Sequence, residues 1–270
     1  MTSAHAMNLA FGFWLGALFA TMLDYLKPHP AWKRLGQVAL WLGWIALTGF
    51  LALRWQKAGR PPMSNMYESL QVMNWGLMAV FLFLQGRAKV SGLGFWAVSL
   101  SLVILALASL MDKSIQPLVP ALQSNWLIYH VVVIMLAYAS LGLAALSGAL
   151  VLVFYSKPSV HNDDLRLEKI ASLSAFSVRA VNLGFVLLAG GIALGSVWAN
   201  EAWGSYWSWD PKETWSLITW FYYAVVIHLW RTRGYRGNRL AWLNVGGAVL
   251  VVFTYFGVNY LLAGLHSYAR

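Results

Sequence analysis

The stretch Trp203–Glu213 reads WGSYWSWDPKE and lies between two apolar runs. Three tryptophans, a tyrosine, an aspartate and a glutamate fall within its eleven residues. Indole rings favour the membrane–water interface, where an apolar body and a polar N–H are both satisfied. An interfacial belt needs one or two such rings. This density instead suggests a flat aromatic platform, held at the mouth of a membrane protein and suited to a large, planar, partly apolar ligand.

Composition places the rest of the chain in a bilayer. Of its residues 60% are hydrophobic and 10% charged, and the mean hydropathy of +0.61 lies outside the range of a soluble domain. Apolar runs long enough to span recur at roughly 8–26, 36–53, 67–85, 93–110, 126–155, 176–198, 213–230 and 240–262. These predict an all-α integral membrane protein, a polytopic bundle of about eight transmembrane helices with an external Trp-rich loop. The fifth run exceeds what a span needs, so part of it stands outside the bilayer or tilts. Loops are short, and residues 1–270 read as a single domain. The first run follows a short leader that lacks the basic region and cleavage site of a signal peptide, and is read as retained.

Lys and Arg divide unevenly between alternate loops. Thirteen lie on the side of Lys27, Lys33, Arg34, Arg87, Lys89, Lys157, Arg166, Lys169, Arg179, Arg231, Arg233, Arg236 and Arg239, against six at Arg54, Lys57, Arg60, Lys113, Lys212 and Arg270. The thirteen-residue side is expected to be cytoplasmic, which makes both termini and the Trp-rich loop external. The net charge of +10 then reflects this bias and anionic lipid headgroups. A nucleic-acid partner is disfavoured because the basic residues are scattered over four loops. There is no cysteine, so any thiol chemistry must come from a partner.

Six histidines remain to be weighed. His5, His29 and His161 lie in polar segments and read as solvated surface residues. His130 lies about one turn inside the external start of the fifth run, His228 near the cytoplasmic end of the seventh, and His266 just beyond the eighth on the external side. Ionisable groups in a span are costly and tend to mark function. A histidine hydrogen-bonded to a neighbouring helix or snorkelling to the interface is an equal reading for His130 and His228 taken alone, and the weightier one for His266. His130 and His266 share a side with the Trp-rich loop, and two imidazoles at an aromatic platform would give bis-histidine axial ligation of a haem iron. Zinc would require three or four ligands, which two external histidines, one aspartate and no cysteine supply poorly. His228 sits too far toward the other face to join the pair and suits a second, inner site that needs another ligand.

Asp210-Pro211-Lys212-Glu213 is also a helix start, with Asp as N-cap, Pro at the first helical position and Glu at the third. Asn65-Met66-Tyr67-Glu68 repeats that logic before the third run. Capping is thus the immediate role expected of Asp210, Glu213 and Glu68, and no general acid or base stands out. Gly12-x-x-x-Gly16 and Gly191-x-x-x-Gly195 read as close helix contacts.

WGSYWSWDPKETW resembles the tryptophan-rich "WWD" signature of the haem-handling membrane proteins of cytochrome c assembly. PPMSNMYESL, MDKSIQPLVPALQSNWLIYH and GVNYLLAGLHSY are similar to the CcsA (ResC) branch, of the System II cytochrome c biogenesis pathway. The resemblance runs from about residue 61 to 268. It implies that His130 and His266 are the external haem ligands, that Trp203, Trp207, Trp209 and Asp210 belong to the platform, and that His228 is a membrane-embedded ligand of an inner haem. It implies that the second inner ligand comes from the membrane partner CcsB (ResB). The implied function is haem b delivery to the external face and its covalent attachment to the Cys-x-x-Cys-His motif of apocytochrome c. This chain would then be part of a CcsA–CcsB synthase in a bacterial plasma membrane, a thylakoid membrane being the alternative.

Other readings are a CcmC-type protein that passes haem to a chaperone, a HemX-like regulator of haem synthesis, a b-type electron-transfer subunit and a transporter of another substrate. The eight runs, the NMYES segment and the terminal GLHSY argue against the first, and the complete external His and Trp set against the second. A b-type cytochrome pairs its histidines within the bilayer, whereas two of these three are external. A transporter would show paired broken helices or intramembrane acid–base relays.

Overall fold

A computed structural model describes residues 2–86, 92–156 and 163–266. His161 and the basic residues Arg87, Lys89, Lys157 and Arg270 lie outside the described residues. The fold is all-α. Its principal helices are α1 (Ser3–Leu26), α2 (Pro30–Ala58), α3 (Met66–Gln85), α4 (Leu93–Ser109), α5 (Asn125–Ser156), α6 (Asp163–Trp203), α7 (Pro211–Thr232) and α8 (Gly237–Val252). Beyond α8 the helix widens into a π-turn over Phe253–Gly257 and closes with Val258–Leu261. Among the described residues, α1, α2, α5, α6 and the continuous helix from α8 are long and apolar enough to cross a bilayer. The eight apolar runs thus correspond to eight helices.

Two differences from the sequence expectation change the topology near the loops. The charged stretch from Asp163 onward is helical, so α6 spans 41 residues and carries Arg166, Lys169 and Arg179 within it. Straight-chain Leu, Glu, Lys and Arg are good helix formers, and their polarity hid the continuation from an apolar-run reading. At its other end α6 runs through Trp203, so Trp203 ends a helix and the connecting loop is residues 204–210.

The chain packs as two compact units, Met1–Phe83 with Ser91–Pro117, and Leu84–Val90 with Leu118–Arg270. In the first, α1 meets α2 and α4 through Ala6, Ala10, Ala17 and Ala20, all buried. Trp14 is buried over Gly43, where an added Cβ would fall 2.3 Å from the indole. Gly12 and Gly16 face open space. The packing role expected of them belongs to the alanine face, because residues three and four apart share a side of the helix and the two glycines lie off that stripe.

An ion-pair cluster closes one end of this unit. Asn65 caps α3 by accepting the Glu68 N–H at 2.9 Å. The Glu68 carboxylate does not return to the Asn65 N–H. It accepts from the Ser64 N–H at 3.0 Å, from Arg54 Nε at 2.8 Å and from Arg60 Nη1 at 2.9 Å, and is wholly buried. The arginines donate onward to the carbonyls of Lys113 and Gln116, at 3.0 Å each. One carboxylate therefore fastens the end of α2, the start of α3 and the segment after α4.

In the second unit α5 contacts α6 and α8, and α7 packs between α6 and α8. The α5–α6 contact is antiparallel and close. An added Cβ at Gly184, Gly191 or Gly195 would lie 2.7, 2.5 or 2.7 Å from Leu141, Ile134 or His130. These partners descend α5 in the same steps of seven and four by which the glycines ascend α6. The packing expected of Gly191 and Gly195 is present, and it places His130 level with Gly195.

Replacing Glu68 by Ala leaves two buried guanidinium groups without their carboxylate. The loss is expected to cost about 3–5 kcal/mol, read as a lowered thermal unfolding midpoint in detergent and reduced accumulation in membranes.

Candidate functional site

Near the start of α5, His130 reaches across the α6 seam, where its Nδ1 lies 2.8 Å from the Gly191 carbonyl oxygen. A carbonyl only accepts, so Nδ1 carries the proton and Nε2 keeps its lone pair. Gly195, one turn on, has no side chain to block this approach. The imidazole is stacked with Trp198, centroids 5.8 Å apart and planes at 16°.

Trp198 is the residue that sequence reasoning missed. It is only 1% exposed and belongs to an apolar cluster with Leu122 and Leu127. Its Nε1 donates to the Ala121 carbonyl at 2.9 Å, which pins the segment before α5 against α6. Its ring meets Trp203 edge-on at 4.8 Å and His266 at 5.4 Å. Trp203 in turn lies 5.0 Å from His266. His130 and His266 thus converge on one indole. The available signal was position: Trp198 lies one turn beyond Gly195, on a helix whose glycines already marked a close contact with another helix.

His266 is brought in by the end of the chain. After the π-turn and Leu261 the backbone becomes extended at Leu262 and runs over the start of α7. The Leu265 N–H donates to Asp210 Oδ1 at 2.6 Å, and His266 Nδ1 lies 2.7 Å from Asp210 Oδ2. A Cβ added at Gly264 would fall 2.4 Å from Asp210 Oδ1, so only glycine permits this approach. Asp210 also caps α7, accepting the Lys212 N–H at 3.0 Å, while Glu213 accepts from the N–H groups of Asp210 and Ser208. The capping box is present as expected, and Asp210 serves the cap and the histidine together. Burial by itself would raise its carboxyl, but the hydrogen bond from His266 and the two backbone N–H groups hold it below the usual aspartate value.

The remaining platform residues are more open. Trp207 and Trp209 pack edge-to-face at 5.6 Å. Trp209 is 69% exposed and has φ 59°, a left-handed conformation unusual for a bulky residue. The Thr214 hydroxyl donates to its carbonyl. Among the described residues no group of three His, Asp or Glu side chains is placed to hold a metal ion. Two imidazoles set against the aromatic walls of Trp198 and Trp203 are a donor set that suits haem.

His228 lies near the other end of α7, exposed, and its backbone carbonyl accepts from the Thr232 hydroxyl at 2.8 Å. Ile227 and Trp230 of the same helix line an apolar pocket with Val178, Val181, Asn182, Val226 and Leu240. His5 and His29 are exposed. His29 is also the N-cap of α2, accepting the Ala31 N–H at 3.2 Å.

Comparison with known proteins now gives this site a family. The sequence model of the family described as "Cytochrome C assembly protein" matches residues 63–266. "Cytochrome c biogenesis protein CcsA" of Trieres chinensis is 38% identical, over 97% of this chain and 95% of its own length. The protein of the same description from Parasynechococcus marenigrum (strain WH8102) is also 38% identical, with the same coverage. Among solved structures, "Cytochrome c Heme Lyase CcmF" aligns with a TM-score of 0.65 and 17% identity over 94% of this chain. That likeness is one of fold, and the chain spans about half of that structure's length, 47%. The chain belongs to the cytochrome c assembly family, in its CcsA branch.

Gly195→Ala tests the seam that seats His130. The new Cβ would meet the imidazole at 2.7 Å, and overpacking of this kind costs about 1–3 kcal/mol. The expected result is a lowered unfolding midpoint and a shifted His130 ring NMR signal, with Gly12→Ala, on an open face, changing neither.

Proposed function

We propose that this member of the cytochrome c assembly family presents haem on its external face and, with a CcsB (ResB) partner, attaches it to apocytochrome c. The observation that carries the reading is the convergence of His130 and His266 on Trp198, each ring held through Nδ1, which makes Nε2 the nitrogen proposed to meet the iron. Haem b is here cargo and substrate; bound, it would supply an iron for two imidazoles and two vinyl groups for thioether formation. His130 and His266 hold the iron from α5 and from the end of the chain. Trp198 and Trp203 wall the rings, and Trp207 and Trp209 extend the aromatic surface toward the exposed loop.

The thiols come from the Cys-x-x-Cys-His motif of apocytochrome c. Each thiol adds across one vinyl double bond, its sulfur bonding to one carbon and its hydrogen ending on the other, with no net oxidation. The histidine of the motif replaces one of the two axial imidazoles. What this protein contributes is orientation, which can supply a large share of a rate enhancement without an acid or base. The lack of cysteine in the chain leaves the substrate's thiols without competitors.

His228 is proposed to ligate haem at an inner site, before transfer outward. Its exposure beside an apolar pocket supports a second ligand from the partner. The basic-residue bias supports an orientation with the Trp-rich loop and both termini external; a bacterial plasma membrane and one haem-handling domain over residues 1–270 are proposed with it, the family match covering residues 63–266.

The test is the visible spectrum and haem content of the purified chain, with and without co-expressed partner. Wild type is expected to show a low-spin bis-histidine spectrum that the His130→Ala/His266→Ala double variant loses, and deletion of the chain is expected to abolish all c-type cytochromes. An unchanged spectrum in the double variant would move the iron to other ligands. Loss of a single respiratory activity on deletion would favour an electron-transfer subunit.

A further inference from the structure

The two external histidines are held by unlike partners. His130 donates its Nδ1 proton to the Gly191 carbonyl, a neutral acceptor that belongs to a helix backbone. His266 donates to Asp210, whose side chain is only 3% exposed. That carboxylate is fixed by two further donors, the N–H groups of Lys212 and Leu265. It therefore cannot turn away from the imidazole without breaking the cap of α7 and releasing the chain end. A buried, ionised acceptor on Nδ1 draws the ring toward imidazolate and makes Nε2 a stronger donor to a metal, whereas a carbonyl does so much less.

Resting on the reading that His130 and His266 are the axial pair, we infer that Asp210 is a positioning residue that makes His266 the retained ligand and leaves His130 as the one exchanged for the substrate histidine. The surroundings of His130 suit that exchange. Its ring lies flat on Trp198, so it has an aromatic surface to rest against whether or not it ligates. It also sits on a helix seam that need not move. The retained side is the side tied to the Trp-rich loop: Asp210 ends that loop and starts α7. The substrate histidine thus arrives opposite the ligand that is anchored to the platform.

The experiment uses the haem-loaded complex of the full chain with its membrane partner and a synthetic Ser-x-x-Ser-His peptide, which ligates iron but has no thiol to add to a vinyl group. Ferric low-spin electron paramagnetic resonance reports the ligand pair. Wild type with peptide is expected to give the g values of His130→Ala with peptide, and not those of His266→Ala with peptide. Asp210→Asn keeps the helix cap through its one remaining oxygen, since Asn caps about as well as Asp, while it removes the charge and turns an amide NH2 toward the Leu265 N–H. It should shift the g values of the peptide complexes of wild type and of His130→Ala, and weaken haem retention by about 10–100-fold.

The inference is overturned if wild type with peptide matches His266→Ala with peptide, or if Asp210→Asn leaves the peptide-bound spectrum unmoved. It also fails if the wild-type spectrum is indifferent to a peptide that the His130→Ala protein binds. The reading beneath it fails by a different sign: a low-spin spectrum that survives in the His130→Ala/His266→Ala double variant before any peptide is added.

Discussion

Close approach of α5 and α6 governs the candidate site. Gly184, Gly191 and Gly195 remove side chains from one face of α6, and Leu141, Ile134 and His130 fill the space. In a bilayer there is no hydrophobic drive between helices, so contact depends on such small-residue faces and on hydrogen bonds across them. The His130–Gly191 bond is of that kind. It needs the backbone of α6 within reach of a side chain on α5, and any Cβ at position 195 would hold the imidazole away. One turn further along α6 comes Trp198, so the spacing that admits His130 also delivers the indole on which it stacks.

Two acidic residues follow the same helix-start pattern and end in different work. Asn65 caps α3, and Glu68 turns aside to two arginines in a fully buried cluster. Asp210 caps α7 with Glu213 reciprocating, and spends its second oxygen on the end of the chain. Both carboxylates are buried and both are saturated with donors, as buried charge must be. The first fastens three segments of its own unit. The second couples a helix start to the His266 imidazole and so fixes that ring from a rigid element.

Much of this was legible in the residues. Apolar runs of spanning length located all eight helices, because a bilayer demands length and apolarity in one stretch. The Asp-Pro-x-Glu pattern predicted the start of α7, since Asp, Pro and Glu each fit one position of a helix N-terminus and few others. Loop parity put His130 and His266 on one side. The glycine pairs were read alike and turned out unlike: Gly191 and Gly195 meet α5, while Gly12 and Gly16 meet nothing within reach. A four-residue spacing shows that two small residues share a face, and is silent on whether another helix lies against it.

By itself, then, the sequence determined what local chemistry determines: helices from apolar length, a cap from side chains that satisfy free N–H groups, an aromatic loop from its tryptophans, and the absence of any thiol. The tertiary structure decided which groups meet. That Trp198 meets both His130 and His266 depends on the crossing of α5 and α6 and on the return of the chain after Leu261. That Asp210 grips His266 depends on two residues 56 positions apart in the chain. Such pairings are set by packing between segments distant in sequence, and no spacing within either segment records them.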